Sequence, residues 1–100
     1  MLFISGQIAL DPKTGQLVQN DNQTETRQVM DNLKAILQAA GMDFTNVIKS
    51  TIFLMDMGQF AQVNEVYGSY FSEQAPVRET VQVAGLPKGV KVEISMIAGK

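Results

Sequence analysis

Polar and apolar residues alternate most strictly over residues 75–98, where two stretches of period two flank Gly85-Leu86-Pro87-Lys88-Gly89. One parity collects Val81, Val83, Val90, Val92, Ile94 and Met96. The other collects Arg78, Thr80, Gln82, Lys91, Glu93 and Ser95. The alternation predicts an antiparallel hairpin with one buried face and a tight turn at 85–89. If the turn pairs Gly85 with Val90, Gln82 stands opposite Glu93 and Arg78 opposite Ile97. Arg78 and Glu93 then share the polar face about 13 Å apart at the usual strand rise, too far for one compact intrachain pair. A site using both is therefore expected at a subunit boundary.

Residues 2–8 read as another strand, and the polar stretch from Ala9 to Asn22 carries a turn at Asp11-Pro12-Lys13-Thr14-Gly15. Asn22 as N-cap and Glu25 three residues later have capping-box spacing, and Val29, Leu33, Ile36, Leu37 and Ala40 follow the helical period up to Gly41. Asn46 to Met55 is β-branched and strand-like, with Ile48, Ile52 and Leu54 on one parity and Lys49 and Thr51 on the other. Asp56 is placed to cap a second helix, with Phe60, Val63, Tyr67 and Tyr70 or Phe71 as its apolar stripe. Residues 72–76 read as a loop.

The order β-α-β-α-β-β supplies two amphipathic helices, enough to cover one face of a four-stranded sheet. The fold class is α+β in two layers, with the helices on one side. The open face also carries Phe53, Ile97 and Phe3, and such apolar residues predict burial against other copies of the chain.

Composition narrows the chemistry. One hundred residues, 45% of them hydrophobic and 18% charged, suit one soluble globular domain spanning 1–100. Eight basic and ten acidic residues give a net charge of −2 and no basic stripe, so no nucleic-acid partner is expected. No apolar run is long enough for a spanning helix, and the N-terminus has no leader-like segment; no membrane association is expected, and the location expected is cytoplasmic. The chain has neither Cys nor His, which removes thiolate chemistry, the commonest metal ligands and the usual general base. What remains is chemistry by orientation, charge and a polarised water.

Ile4-Ser5-Gly6-Gln7-Ile8 with Asp11 to Gly15 resembles the Ser-Gly-Gln-Ile segment of the RidA (YjgF) family. Similar to that family too are Asp31 to Leu37 with Ala39-Ala40-Gly41, Val47 to Leu54, and Val63-Asn64 with Tyr67. Most specific is Pro76-Val77-Arg78-Glu79-Thr80-Val81-Gln82-Val83 with Leu86-Pro87-Lys88 and Val92-Glu93-Ile94. The resemblance spans the chain in order.

It implies a chorismate-mutase-like fold and a homotrimer whose sheets form a central barrel, with clefts between subunits. It implies hydrolytic deamination of reactive 2-imino and enamine acids, such as 2-aminoacrylate, to 2-keto acids and ammonia, with no cofactor or metal. The family's arginine falls on Arg78, whose guanidinium fork suits a substrate carboxylate. Its glutamate falls on Glu93, expected to orient or activate water. Ser5, Gly6, Asn64 and Tyr67 fall on cleft positions and are expected to bind substrate. Thr80, where many members have Cys, is included with them. Family members usually begin earlier, with a hairpin carrying an aromatic residue that lines the cleft. Its absence from this chain is expected to expose a sheet edge and remove one cleft wall.

Two further function classes stand beside the deaminase. One is a non-catalytic member that binds or senses small carboxylates such as keto acids. The other is a ribonuclease, against which the acidic balance and the lack of His both argue.

Overall fold

The computed structural model describes residues 1–72 and 74–100. Glu73, within the loop expected at 72–76, lies outside the described residues. Among the described residues the elements run β1 (Leu2–Gln7), α1 (Asn22–Ala39), β2 (Val47–Leu54), α2 (Phe60–Gly68), β3 (Val77–Gln82) and β4 (Val92–Ala98). The strands form one mixed sheet in the order β1-β4-β2-β3. The predicted α+β class and element order hold.

The hairpin does not. β3 pairs with β2 in parallel, and β4 lies on the other side of β2, antiparallel to both β2 and β1. Arg78 is registered with Ser50 rather than opposite Ile97, and Glu93 with Phe53 rather than opposite Gln82. The linker between Gln82 and Val92 is longer than a tight turn and reaches across one intervening strand. It closes over the C-terminal end of β2, where Val83 N–H donates to Leu54 C=O at 2.9 Å and Met55 N–H to Lys91 C=O at 3.2 Å. A short 3-10 turn at Pro87–Gly89, with Lys88 and Gly89 at φ 57° and 70°, redirects the chain into β4.

The new register also inverts the faces assigned to β3. Alternate residues of the sheet pack with both helices into the core: Ile4, Ile52, Leu54, Val92, Ile94 and Met96 meet Val29, Met30, Leu33 and Leu37 of α1 and Val63 and Tyr67 of α2. Because Ser50 pairs with Arg78 and Ile52 with Thr80, Arg78 and Thr80 lie on this helix-facing side. Val81, expected in the core with Val92 and Ile94, lies instead on the open side and is 40% exposed, beside Val77 at 69%. An edge strand has room at its periphery for polar side chains that a central strand would not tolerate.

Local signals were displaced by a residue or so in three places. The N-cap of α1 is Asp21, whose carboxylate accepts from Thr24 N–H at 2.7 Å, and Asn22 is already helical. Glu25 is no capping-box partner. It is fully buried, at four-residue spacing from Val29 and Leu33, and its Oε1 accepts from Lys91 N–H at 2.9 Å. In β2 an irregularity between Val47 and Lys49 buries Val47 and leaves Ile48 46% exposed, against the parity expected for it. Asp56 does cap, but it caps a 3-10 turn at Met57–Gln59 that leads into α2.

Two groups of residues on opposite faces of the sheet

Arg78 is seated by one face of α2. Phe60, Asn64 and Tyr67 stand at i, i+4 and i+7 of that helix, a spacing that aligns them along the strand beneath. Arg78 Nη1 donates to Asn64 Oδ1. Its Cζ lies 5.3 Å from the ring centroid of Phe60 and 5.3 Å from that of Tyr67. Both distances are within cation–π range. Among the described residues Arg78 forms no ion pair. Beside it opens a recess of about 440 Å³ lined by Asn64, Tyr67, Gly68, Ala75, Pro76 and Arg78.

Beneath this seat the polar groups are buried. Ser50 Oγ, Tyr67 OH and Thr80 Oγ1 have no hydrogen-bond partner among the described residues. Burial pushes the Tyr67 phenol above its ordinary pKa, offset in part by the positive Arg78. Arg78, Asn64, Tyr67 and Thr80, all expected at the site, are thus on one side of the sheet.

The other expected residues are on the open face. The register of β1 with β4 passes from Ile4 opposite Met96 to Gln7 opposite Ile94, so Ser5 and Gly6 bulge against the single residue Ser95. Gly6 has a definite steric reason to be glycine. A Cβ there would come within 2.5 Å of Glu93 Cδ and Oε2 and 2.9 Å of its Cγ. The Glu93 carboxylate therefore occupies the space that a side chain at position 6 would fill. Ser5 C=O accepts from Gln7 Nε2 at 3.0 Å.

Arg78 and Glu93 consequently do not share a face. They sit on opposite faces and on strands separated by β2. The chain presents two separate groups: Arg78 with Asn64, Tyr67 and Thr80, and Glu93 with Ser5 and Gly6.

The rest of the open face is partly apolar. Phe3, Ile97, Lys49 and Val77 lie in one row across the four strands, and Glu93, Phe53 and Val81 in another. Between them Lys49 Nζ pairs with Glu79 Oε1 at 2.7 Å, which lowers the Glu79 pKa from its ordinary value. Phe3 is 71% exposed. Among the described residues there is no cluster of three or more His, Cys, Asp or Glu placed to hold a metal, and no helix is long and apolar enough to cross a membrane.

Phe60 was assigned only to the apolar stripe of α2. The signal that would have distinguished it is Asn64 and Tyr67 in phase with it, a polar and an amphipathic residue where a purely apolar ridge belongs. Glu25 was likewise legible as a carboxylate in phase with Val29, Leu33 and Leu37.

The family model described as Endoribonuclease L-PSP matches residues 1–100, and the chain belongs to this family, the RidA group. It is 57% identical over 98 residues to Protein DfrA of Myxococcus xanthus, covering 98% of this chain and 75% of that one. It is 50% identical over 97 residues to the 2-iminobutanoate/2-iminopropanoate deaminase of Rattus norvegicus, covering 97% of this chain and 71% of the relative. The crystal structure of E. coli TdcF with bound serine superposes with a TM-score of 0.93 at 44% identity, over 98% of this chain and 79% of that one.

Proposed function

We propose that this protein hydrolyses small 2-imino and enamine acids to 2-keto acids and ammonia. The observation that carries the reading is the seated Arg78: a planar cation held by a neutral amide and two ring faces at the edge of a 440 Å³ recess. Such a fork suits a carboxylate, which it can bind with two parallel hydrogen bonds. Relatives bearing a deaminase name, and a neighbour crystallised with serine, support a substrate of amino-acid size.

In the proposed reaction the enamine first tautomerises to the imine, whose carbon is electrophilic, most so when the nitrogen is protonated. Arg78 fixes the carboxylate, and Glu93 orients a water toward that carbon. Addition of water gives a tetrahedral amino alcohol. Transfer of a proton to nitrogen and cleavage of the C–N bond then release ammonia and leave the keto acid. The acceleration comes from orientation, so neither His nor Cys is required.

Arg78 and Glu93 lie on opposite faces of the sheet, so we propose that the working site joins the Arg78 set of one copy to the Glu93 set of another. A homotrimer packed through the open sheet faces would bury Phe3, Val77 and Val81. No cofactor is invoked.

The test generates a 2-imino acid in situ from an amino acid and follows keto-acid release. Wild-type protein should exceed the spontaneous rate, and Arg78→Ala should lower kcat/KM by about 100-fold, as expected for loss of a charged hydrogen-bonding partner. A wild-type protein that adds nothing to the spontaneous rate while still binding a keto acid would leave the sensor reading in its place.

A further inference from the structure

The packing around Arg78 assigns a role to Phe60: we infer that it is a positioning residue that orients the guanidinium fork before any carboxylate arrives. This inference rests on Arg78 being the carboxylate anchor. Arg78 has a long side chain on an edge strand, where it would otherwise sample many rotamers. Three groups from α2 restrict it. Asn64 Oδ1 accepts from Nη1, and the rings of Phe60 and Tyr67 each lie 5.3 Å from Cζ.

Tyr67 is 3% exposed and shares the core with α1, so its ring is needed for folding whatever Arg78 does. Phe60 differs. It is only half-buried and stands at the first residue of α2. The start of that helix is tied directly to β3, because Gln82 Oε1 accepts from Met57 N–H at 2.7 Å. The tether joins the strand bearing Arg78 to the turn that precedes Phe60, and so holds the ring over the guanidinium.

An aromatic face constrains a planar cation without consuming its hydrogen-bond donors, so the donors other than the one given to Asn64 remain available to a ligand. A second amide or a carboxylate at position 60 would occupy them. A Lys at position 78 would find no use for the ring-lined slot, since an ammonium is a point donor without a plane.

The experiment measures pyruvate affinity by calorimetry for wild type, Arg78→Ala, Phe60→Leu and Phe60→Tyr, with thermal unfolding of each. Kinetics on an imine made in situ and NMR of the Arg78 Nε–H are run in parallel. Phe60→Leu is expected to weaken pyruvate about tenfold and raise KM similarly with kcat little changed, because the carboxylate is held equally in ground and transition states. It should also move the Arg78 Nε–H resonance by removing the ring current. Phe60→Tyr, which keeps the ring, should restore all three. Phe60→Leu that binds pyruvate like wild type, while Arg78→Ala does not, overturns the role of Phe60 alone. Equal pyruvate affinity for wild type and Arg78→Ala removes the anchor itself, and the inference with it. A resonance shift without recovery of affinity in Phe60→Tyr also overturns it.

Discussion

Gly6→Ala isolates the link between the sheet bulge and the carboxylate above it. The added Cβ would stand 2.5 Å from Glu93 Cδ and Oε2, whereas ordinary contact between such atoms is about 3.5 Å. The carboxylate must therefore retreat by about 1 Å. The carboxylate ends a flexible side chain, but Cγ at 2.9 Å must move with it, so the retreat should cost about 1 kcal/mol and lower the unfolding temperature by several degrees. The catalytic cost is different. Under the proposed mechanism Glu93 places the attacking water, and a displacement of about 1 Å in such a group is worth about 100-fold in rate, or about 2.7 kcal/mol of transition-state stabilisation. Imine hydrolysis followed by keto-acid release should show that loss in kcat. Because both substitutions act through one carboxylate, Glu93→Ala and Gly6→Ala combined should be no worse than Glu93→Ala alone, a strongly non-additive cycle. A crystal structure of Gly6→Ala with Glu93 displaced but kcat within twofold of wild type would refute the reasoning, as would simple additivity.

Three further outcomes follow from the same geometry. Phe3→Asp puts a charge into the 71%-exposed apolar row of the open face and should convert the proposed homotrimer to monomer at micromolar concentration in a solution mass measurement; a wild type already monomeric would dismiss the interfacial site. Thr80→Val removes a buried hydroxyl with no partner among the described residues at nearly constant volume, and should stabilise by about 1 kcal/mol, several degrees in Tm; a drop would mean that the hydroxyl is hydrogen-bonded in solution. Burial and a 2.8 Å hydrogen bond to Asp31 push Tyr70 from 10.0 up to about 12. A proton held more tightly when folded stabilises below the unfolded pKa and is lost as pH rises, so stability should fall between pH 10 and about 12. Tyr70→Phe should flatten that slope, and phenolate absorbance in the native protein should show no Tyr70 ionisation at its ordinary pH.

The elements themselves were legible because each depends on local periodicity. The stripe Val29, Leu33, Leu37 must face a core, and the β-branched run from Val47 to Leu54 must lie in a sheet. The residues expected at the site came from family resemblance; the comparisons show the chain's membership of that family, and the roles of those residues are part of the proposed function. Pairing was another matter. Period two states that β3 has two faces but is silent on which neighbour it takes. The partner of β3 proved to be β2, distant in sequence, and that single fact turned Val81 outward and Arg78 toward α2.

What the amino-acid order determined by itself was therefore the inventory: the strands and helices, and the polar chemistry available without His or Cys. What only the tertiary structure decided was arrangement. Non-local hydrogen bonding placed β2 between β3 and β4, so Arg78 and Glu93, a few residues apart across an imagined hairpin, lie on opposite faces of the sheet. The physical reason is that strand pairing is chosen by the total burial of a sheet against its helices. A connection as long as 83–91 leaves that choice open, whereas a two-residue turn would have made it locally.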